Sequence, residues 1–154
     1  MENKDLDFMK VALELAKIAE NIGEVPVGAI IVNKNGEIIS KAYNLRETQK
    51  NAVAHAELIA IENACKSLGG WRLGDCTLYV TLEPCPMCAG AIVNSRIKRV
   101  VFGSYDMQAG CCGSVVNFNA YPFNHSFEIV GGVMEKECRE LLTEFFNTKR
   151  KNRA

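Results

Sequence analysis

The feature that most constrains this 154-residue chain is a pair of cysteines, Cys85 and Cys88, that follows a proline and lies downstream of the tripeptide His55-Ala56-Glu57. Thiolate and imidazole groups are preferred zinc ligands, and three protein ligands leave the fourth tetrahedral position of the ion open for water. An open position is typical of catalytic zinc sites, whereas structural sites close it with a fourth side chain. We therefore predict that the fold brings His55, Cys85 and Cys88 together to hold one Zn²⁺ per chain.

Glu57 is the candidate catalytic residue, because it stands two residues after this histidine. His-x-Glu followed by Pro-Cys-x-x-Cys is the known signature of zinc-dependent base deaminases, in which the glutamate is the general acid and base. Taken alone, Glu57 would be an acid favoured by the dipole of a helix N-terminus. Taken alone, the cysteines would be a redox pair or half of a structural zinc site. The combination is more specific than its parts, and it predicts that the chain is a hydrolytic deaminase.

The composition is that of an ordinary globular protein, with 48% apolar and 23% charged residues. We interpret residues 1–154 as a single zinc-dependent deaminase domain. The start of the chain lacks the basic and apolar segments of a signal peptide, and no apolar run reaches the roughly 18 residues of a membrane span. Only one pair of the seven cysteines has a motif spacing, which favours metal binding over disulfides. We expect a cytoplasmic protein that does not associate with membranes.

The charge balance leaves the question of a nucleic-acid partner open. Eighteen basic and 18 acidic residues cancel, and this argues mildly against a large electrostatic surface for nucleic acid. The distribution is more suggestive, because no acid follows Glu144 while Lys149, Arg150, Lys151 and Arg153 do. These residues would either contact phosphates or form a solvated basic end of the chain.

Apolar periodicity alternates between the helical and the extended repeat along the chain. It predicts helices over residues 5–22, 54–68, 86–95 and 133–149, with glycines after the first two. It predicts strands over residues 27–33, 38–43, 77–82, 99–102 and 127–130, the first two joined by a hairpin turn at Asn35-Gly36. Residues 103–124 are predicted to be mainly loop. This alternation predicts an α/β fold with three α/β/α layers around a central mixed five-stranded sheet.

Sequence blocks outside the zinc motif resemble those of the bacterial tRNA-specific adenosine deaminases, within the cytidine/deoxycytidylate deaminase superfamily. The similarity covers most of the chain from residue 23 to residue 150. The longest blocks are Gly23-Glu24-Val25-Pro26-Val27-Gly28-Ala29, Ala54-His55-Ala56-Glu57, Thr77-Leu78-Tyr79-Val80-Thr81-Leu82-Glu83-Pro84-Cys85 and Arg99-Val100-Val101-Phe102-Gly103.

This resemblance implies a cytidine deaminase-like fold and a homodimer that converts adenosine to inosine at the wobble position of a tRNA anticodon. The expected partner is the anticodon stem-loop of tRNA, and no DNA substrate is expected. Asn44 would hydrogen-bond the flipped-out base, and Asp106 would contact its sugar or backbone. His125, Phe145 and Arg150 would contact the stem-loop.

Alternatives remain for these residues and for the activity. Asn44 suits a turn, either Phe145 or Phe146 suits the core face of an amphipathic helix, and His125 suits a structural hydrogen bond. Pro86 also occurs between the cysteines of free-base deaminases such as guanine deaminase, so a deaminase of a free base or nucleoside, guanine or cytosine-like, is the second hypothesis. A non-catalytic RNA-binding subunit that keeps zinc for folding is the third, and an intact Glu57 argues against it.

Overall fold

The structure, a computed structural model, describes residues 3–153. The predicted single domain runs from residue 1 to residue 154, so its residues 1, 2 and 154 lie outside the described part. Within that part the chain forms four α-helices and five strands: α1 (Asn3–Asn21), β1 (Gly28–Val32), β2 (Ile38–Tyr43), α2 (Ala56–Leu68), β3 (Thr77–Leu82), α3 (Pro86–Ser95), β4 (Arg99–Ser104), β5 (Glu128–Val130) and α4 (Glu135–Arg153). A short 3₁₀-helix, Phe118–Ala120, lies in the predicted loop.

The five strands form one mixed sheet in the order β2-β1-β3-β4-β5. β1 is antiparallel to both β2 and β3, while β3, β4 and β5 are parallel to one another. Four strands, β2, β3, β4 and β5, therefore run in the same direction, and their carboxyl ends point to the same edge of the sheet. Among the described helices none has the length and apolar content needed to cross a membrane.

Alternating side chains of the strands bury the two faces of the sheet in separate cores. Leu78 and Val80 of β3 pack with α2 and α3 on one face, whereas Tyr79 packs with α1 and α4 on the other. The predicted α/β/α layering around a mixed five-stranded sheet is therefore confirmed. Gly28 allows α1 to lie directly on β1, because a Cβ atom there would be 2.1 Å from the carbonyl oxygen of Ala12.

The predicted element boundaries differ from the observed ones where local backbone geometry intervenes. α2 begins at Ala56 rather than residue 54, because His55 has extended backbone angles and forms the N-cap. α4 begins at Glu135 rather than residue 133, because Met134 has a left-handed φ of 56° that a helix cannot include. β4 continues to Ser104, two residues beyond its predicted end.

A buried ionic cluster joins the first helix to the middle of the sheet. The carboxylate of Asp5, in the first turn of α1, accepts two hydrogen bonds from the guanidinium of Arg99 at 2.8 and 2.7 Å. It also accepts one from the hydroxyl of Tyr79 at 2.7 Å. Asp5 is fully buried, and its hydrogen bonds to Arg99 lower its pKa below the ordinary value of 3.8. The cluster therefore depends on the ionised carboxylate.

Replacement of Asp5 should destabilise the protein in a pH-dependent way. We expect Asp5→Asn to lower the free energy of unfolding by about 2–3 kcal/mol at pH 7, because a buried charged hydrogen-bond partner is lost. A depressed folded-state pKa means that the contribution is complete above the unfolded pKa of 3.8 and is lost as pH falls through the folded value. Urea unfolding from pH 7 to pH 3 checks this. The exposed Asp7→Asn control should show no such difference, and a constant difference between Asp5→Asn and the parent chain would contradict the analysis.

Candidate active site

The site lies where the N-termini of two helices meet. His55 is the N-cap of α2 and Cys85 is the N-cap of α3, both with extended backbone angles. N-cap positions usually carry Ser, Thr, Asp or Asn, whose side chains bond to backbone N–H groups of the first turn. Neither His55 nor Cys85 makes such a side-chain bond to any described residue. Their side chains are therefore free to bind a ligand, at a place where both helix dipoles are positive.

The three predicted zinc ligands are brought together by this arrangement. The Nδ1 atom of His55 lies 3.7 Å from the Sγ atom of Cys85 and 3.5 Å from that of Cys88. All three ligand atoms lie within 4.8 Å of one another. Zn–N and Zn–S bonds of about 2.1 and 2.3 Å at a tetrahedral angle separate nitrogen from sulfur by about 3.6 Å. The donor set and its spacing therefore fit one Zn²⁺.

The two thiols have different acidities in the metal-free protein. The hydrogen bond from Cys88 lowers the pKa of Cys85 to about 4, and His55 adds to the effect. The same hydrogen bond, together with burial, raises the pKa of Cys88. Zinc ligation requires both sulfurs as thiolates, so metal binding should release a proton.

Glu57 lies beside these ligands in the first turn of α2. Its side chain is 4% exposed, and burial raises the pKa of its carboxyl group to about 7. A group with a pKa near the working pH can both accept and donate a proton, which suits general acid–base catalysis. A residue that carries protons for a zinc-dependent reaction must lie beside the zinc ligands, and Glu57 lies there.

A cavity of about 260 Å³ opens in front of His55 and Glu57. Val25 and Val27, which directly precede β1, line one wall of the cavity. Two of the predicted substrate-binding residues, Asn44 and Asp106, also line the cavity. Asn44 is fixed on both sides: its Nδ2 donates to the Val25 carbonyl at 3.2 Å and its Oδ1 accepts from the Arg46 N–H at 3.1 Å. The turn role and the substrate role of Asn44 are therefore compatible.

The sheet topology explains which loops reach the cavity. Asn44 follows β2, Cys85 follows β3 and Asp106 follows β4, and these three strands end at the same edge of the sheet. Side chains at the carboxyl ends of such strands form the binding crevice of open α/β sheets.

His125 is not brought to this cavity. It precedes β5, which is parallel to β4, so it lies near the opposite edge of the sheet. There its Nε2 atom is 2.8 Å from the carbonyl oxygen of Ile97, in the segment that enters β4. A structural hydrogen bond, the alternative role of His125, accounts for this contact. A contact of His125 with substrate stays a prediction, and nothing within a single chain supports it.

The two phenylalanines of α4 have different environments. Phe145, the predicted substrate contact, is 8% exposed, whereas Phe146 is 44% exposed. Phe146 lines the cavity together with His55 and Glu57, and Phe145 lies outside that lining. Arg150 borders a neighbouring cleft together with Phe146. Of the two rings, only that of Phe146 lines the cavity in front of His55 and Glu57, whereas both border the neighbouring cleft. A contact of Phe145 with substrate stays a prediction.

Glu83 is a second residue of the cavity that the sequence analysis missed. It is 1% exposed and lines the cavity. Its carboxylate accepts hydrogen bonds from backbone N–H groups of Asp106 at 3.1 Å and of Cys112 and Ser114 at 3.0 Å. The available signal was an acid directly before Pro-Cys at the end of a buried strand.

Comparison with protein families gives the same assignment as the geometry. The family described as the cytidine and deoxycytidylate deaminase zinc-binding region matches residues 2–104. The chain belongs to this deaminase family. The match includes the positions of His55, Glu57, Cys85 and Cys88, and a zinc-dependent hydrolytic deaminase is the enzyme class.

Relatives of this deaminase are named for more than one substrate. The chain is 54% identical over 147 residues to a tRNA-specific adenosine deaminase of Bacillus subtilis, covering 95% of this chain and 91% of the relative. It is 40% identical, with a TM-score of 0.85, to a solved structure from work on A-to-I editing by tRNA:A34 deaminases, covering 88% and 99% of the two chains. A guanine deaminase structure from Bacillus subtilis is 43% identical with a TM-score of 0.62, covering 68% and 66%.

Removal of one ligand should abolish stable zinc binding by the deaminase. We expect Cys88→Ala to lower the zinc affinity by at least about 100-fold, since loss of an outer-sphere partner alone costs up to that much. Metal analysis after dialysis against a weak chelator should find one zinc per chain in the parent and almost none in the variant. Cys112→Ala, a buried cysteine outside the ligand set, is the control and should keep its zinc. Equal zinc content in the parent and Cys88→Ala would contradict the assignment.

Proposed function

We propose that this deaminase converts adenosine to inosine at the wobble position of a tRNA anticodon. The observation that carries the proposal is the near full-length similarity, at 54% identity, to a protein named tRNA-specific adenosine deaminase. The cavity supports it, because about 260 Å³ is below the range of about 300–1,000 Å³ for drug-sized ligands and suits a single base. A base that is flipped out of an RNA loop would enter this cavity with its backbone outside.

Glu57 would carry the protons of the reaction. Hydrolysis adds water at C6 of adenine and releases the amino group as ammonia. When bound, zinc supplies a water molecule of lowered pKa at its open position. The carboxylate of Glu57 would take one proton from the attacking water and deliver it to N1 of the ring as the C6–O bond forms. It would then take the remaining proton from the new C6 hydroxyl group and pass it to the amine, so that the C6–N bond breaks, ammonia leaves and the C6 carbonyl of inosine forms. One carboxyl group beside the ligand set can serve for all these transfers in turn.

Asn44 and Asp106 would hold the substrate in the cavity. The side-chain amide of Asn44 uses one N–H and one oxygen lone pair in its bonds to the backbone. One N–H and one lone pair remain for a base edge. These backbone bonds fix the amide before the substrate arrives. Asp106, at the end of β4, would contact the ribose or backbone of the target nucleotide.

The cleft beside the cavity has the chemistry that an RNA loop requires. Arg46, Lys149 and Arg150 border a cleft of about 260 Å³ together with the exposed ring of Phe146. Aromatic rings stack on unpaired bases and basic side chains bind phosphates, which are the usual contacts of proteins with single-stranded RNA. The basic end of α4 would thus hold the stem-loop while the target base occupies the cavity.

We also infer that the enzyme is a homodimer and acts in the cytoplasm. The dimer follows from the resemblance of the sequence blocks, and a sedimentation mass of one chain, 17.0 kDa, would contradict it. All seven cysteines are free thiols within the described residues, as is usual in a reducing compartment. Cell fractionation tests the compartment, and enzyme found outside the cytoplasm would contradict that inference.

Inosine formation tests the function directly. The zinc-loaded protein would be incubated with an anticodon stem-loop RNA that carries a wobble adenosine, and in parallel with free guanine, adenosine and cytidine. Inosine in the RNA alone supports the proposal. Ammonia from a free base with unchanged RNA would instead establish the second hypothesis, which the similarity to a guanine deaminase structure favours.

Loss of the Glu57 carboxylate should remove activity without removing zinc. We expect Glu57→Gln to lower kcat by about 10²–10⁴-fold, the usual contribution of general acid–base catalysis. Zinc content and circular dichroism should be unchanged. Glu62→Gln is the matched control, because Glu62 is an exposed acid on the same helix. Near-normal turnover of Glu57→Gln would exclude Glu57 as the proton carrier.

Charge reversal at the end of α4 should weaken RNA binding in a salt-dependent way. We expect Lys149→Glu/Arg150→Glu to reduce the slope of log Kd against log salt by at least about 1.4, since each phosphate contact contributes about 0.7. Fluorescence anisotropy with the labelled stem-loop measures this. Lys10→Glu/Lys17→Glu on α1 makes the same change in net charge at two exposed positions. Identical slopes for the two double variants would mean that the end of α4 makes no specific phosphate contact.

A further inference from the structure

Two loops border the cavity, and each is attached to the protein through a buried carboxylate. Glu24 accepts hydrogen bonds from the backbone N–H groups of Glu47 at 3.0 Å and Thr48 at 2.6 Å, in the loop that follows β2. Glu83 likewise accepts hydrogen bonds from backbone N–H groups of residues 105–114, the loop that follows β4. Both carboxylates are almost completely buried. Carboxylates that accept several backbone N–H bonds fix loop conformation strongly, because each bond is charge-assisted.

The attachment at Glu83 is the more extensive of the two. One carboxylate oxygen accepts from the N–H of Asp106 and from the hydroxyl of Ser114, and the other accepts from the N–H groups of Cys112 and Ser114. A further bond joins the N–H of Cys111 to the carbonyl oxygen of Pro84 at 2.9 Å. The start and the end of the loop are therefore both held by the segment between β3 and the zinc ligand Cys85.

Gly110 allows the loop to lie directly on this carboxylate. A Cβ atom at Gly110 would be 2.3 Å from Cδ of Glu83 and 2.5 Å from its Oε1. Any side chain at this position would therefore push the loop away from Glu83. The absence of a side chain at Gly110 therefore allows the close contact between the loop backbone and the carboxylate of Glu83.

Asp106 is the polar residue of this loop that lines the cavity, beside Ala109. Its backbone N–H is held by Glu83 at 3.1 Å, and its side-chain oxygen accepts from the N–H groups of Gln108 and Ala109 at 3.0 and 3.1 Å. Both the backbone and the carboxylate of Asp106 are thus fixed before a substrate binds. We propose that Glu83 is a positioning residue, which sets the place of Asp106 against the ribose or backbone of the target nucleotide; this rests on the proposed function.

Glu83→Gln tests this role with little change in size. The amide keeps one acceptor oxygen, so the N–H groups of Cys112 and Ser114 retain a partner while that of Asp106 loses one. We expect KM for the stem-loop to rise about tenfold, with kcat changed less than about threefold and zinc content unchanged. Hydrogen exchange of the peptide 105–114 should become faster. Gly110→Ala, which keeps the carboxyl group of Glu83 but forces the loop away from it, should reproduce the rise in KM if Glu83→Gln fails to fold.

A double-mutant cycle with Asp106→Asn distinguishes positioning from general stabilisation. If Glu83 acts through Asp106, the effect of Glu83→Gln on KM should fall from about tenfold to less than about twofold in the Asp106→Asn background, because coupled residues are not additive. Glu24→Gln is the matched control: it removes a buried carboxylate from the other loop, and its effect should be the same in both backgrounds. An unchanged KM for folded Glu83→Gln, or an undiminished effect in the cycle, overturns the proposal.

The assay also separates this inference from the proposed function. If the parent enzyme forms no inosine in RNA but deaminates a free base, the proposed function fails, and the contact of Asp106 with a ribose or backbone fails with it. Hydrogen exchange of residues 105–114 needs no substrate. Unchanged exchange in Glu83→Gln overturns the positioning role whichever substrate the enzyme uses, whereas faster exchange confined to this loop supports it.

Discussion

The common direction of β2, β3 and β4 is the constraint on which the site depends. These strands are neighbours or near neighbours in the sheet order β2-β1-β3-β4-β5, and their carboxyl ends deliver Asn44, the Cys85 segment and Asp106 to one edge. α2 packs on the same face as α3, which places His55 opposite the cysteines. β1, which is antiparallel to both, lies between β2 and β3 in the sheet, and the chain crosses from β2 to β3 through α2. The ligands, the proton carrier and the cavity wall all follow from this topology.

Much of this could be predicted because the signals were local. The zinc ligands and Glu57 are defined by short spacings, and the strands by apolar runs that turns interrupt. The placement of His125 could not be predicted from its own surroundings. It depends on β5 being parallel to β4, which puts the residues before β5 at the edge away from the zinc site. Strand direction is a property of the whole sheet, and no segment near His125 encodes it.

The choice between Phe145 and Phe146 was unresolved for a similar reason. Successive residues of a helix point about 100° apart, so the rotation of α4 on the sheet decides which ring is buried. The burial of Glu24 and Glu83 could not be predicted from the sequence either. An acid in a sequence is normally assigned to the surface, and its burial becomes understandable only when a loop from elsewhere in the chain supplies several N–H groups to it.

The ionic cluster of Asp5 has a consequence for the order in which the protein can fold during synthesis. Asp5 and Arg99 are 94 residues apart, so α1 cannot complete this contact until β4 has been made. Until then α1 can lie on β1, but the carboxylate of Asp5 lacks its guanidinium partner. Contacts of such long sequence separation carry a large loop-closure cost and form late. α1 is thus made well before β4 but completes its native contacts only when that strand is present.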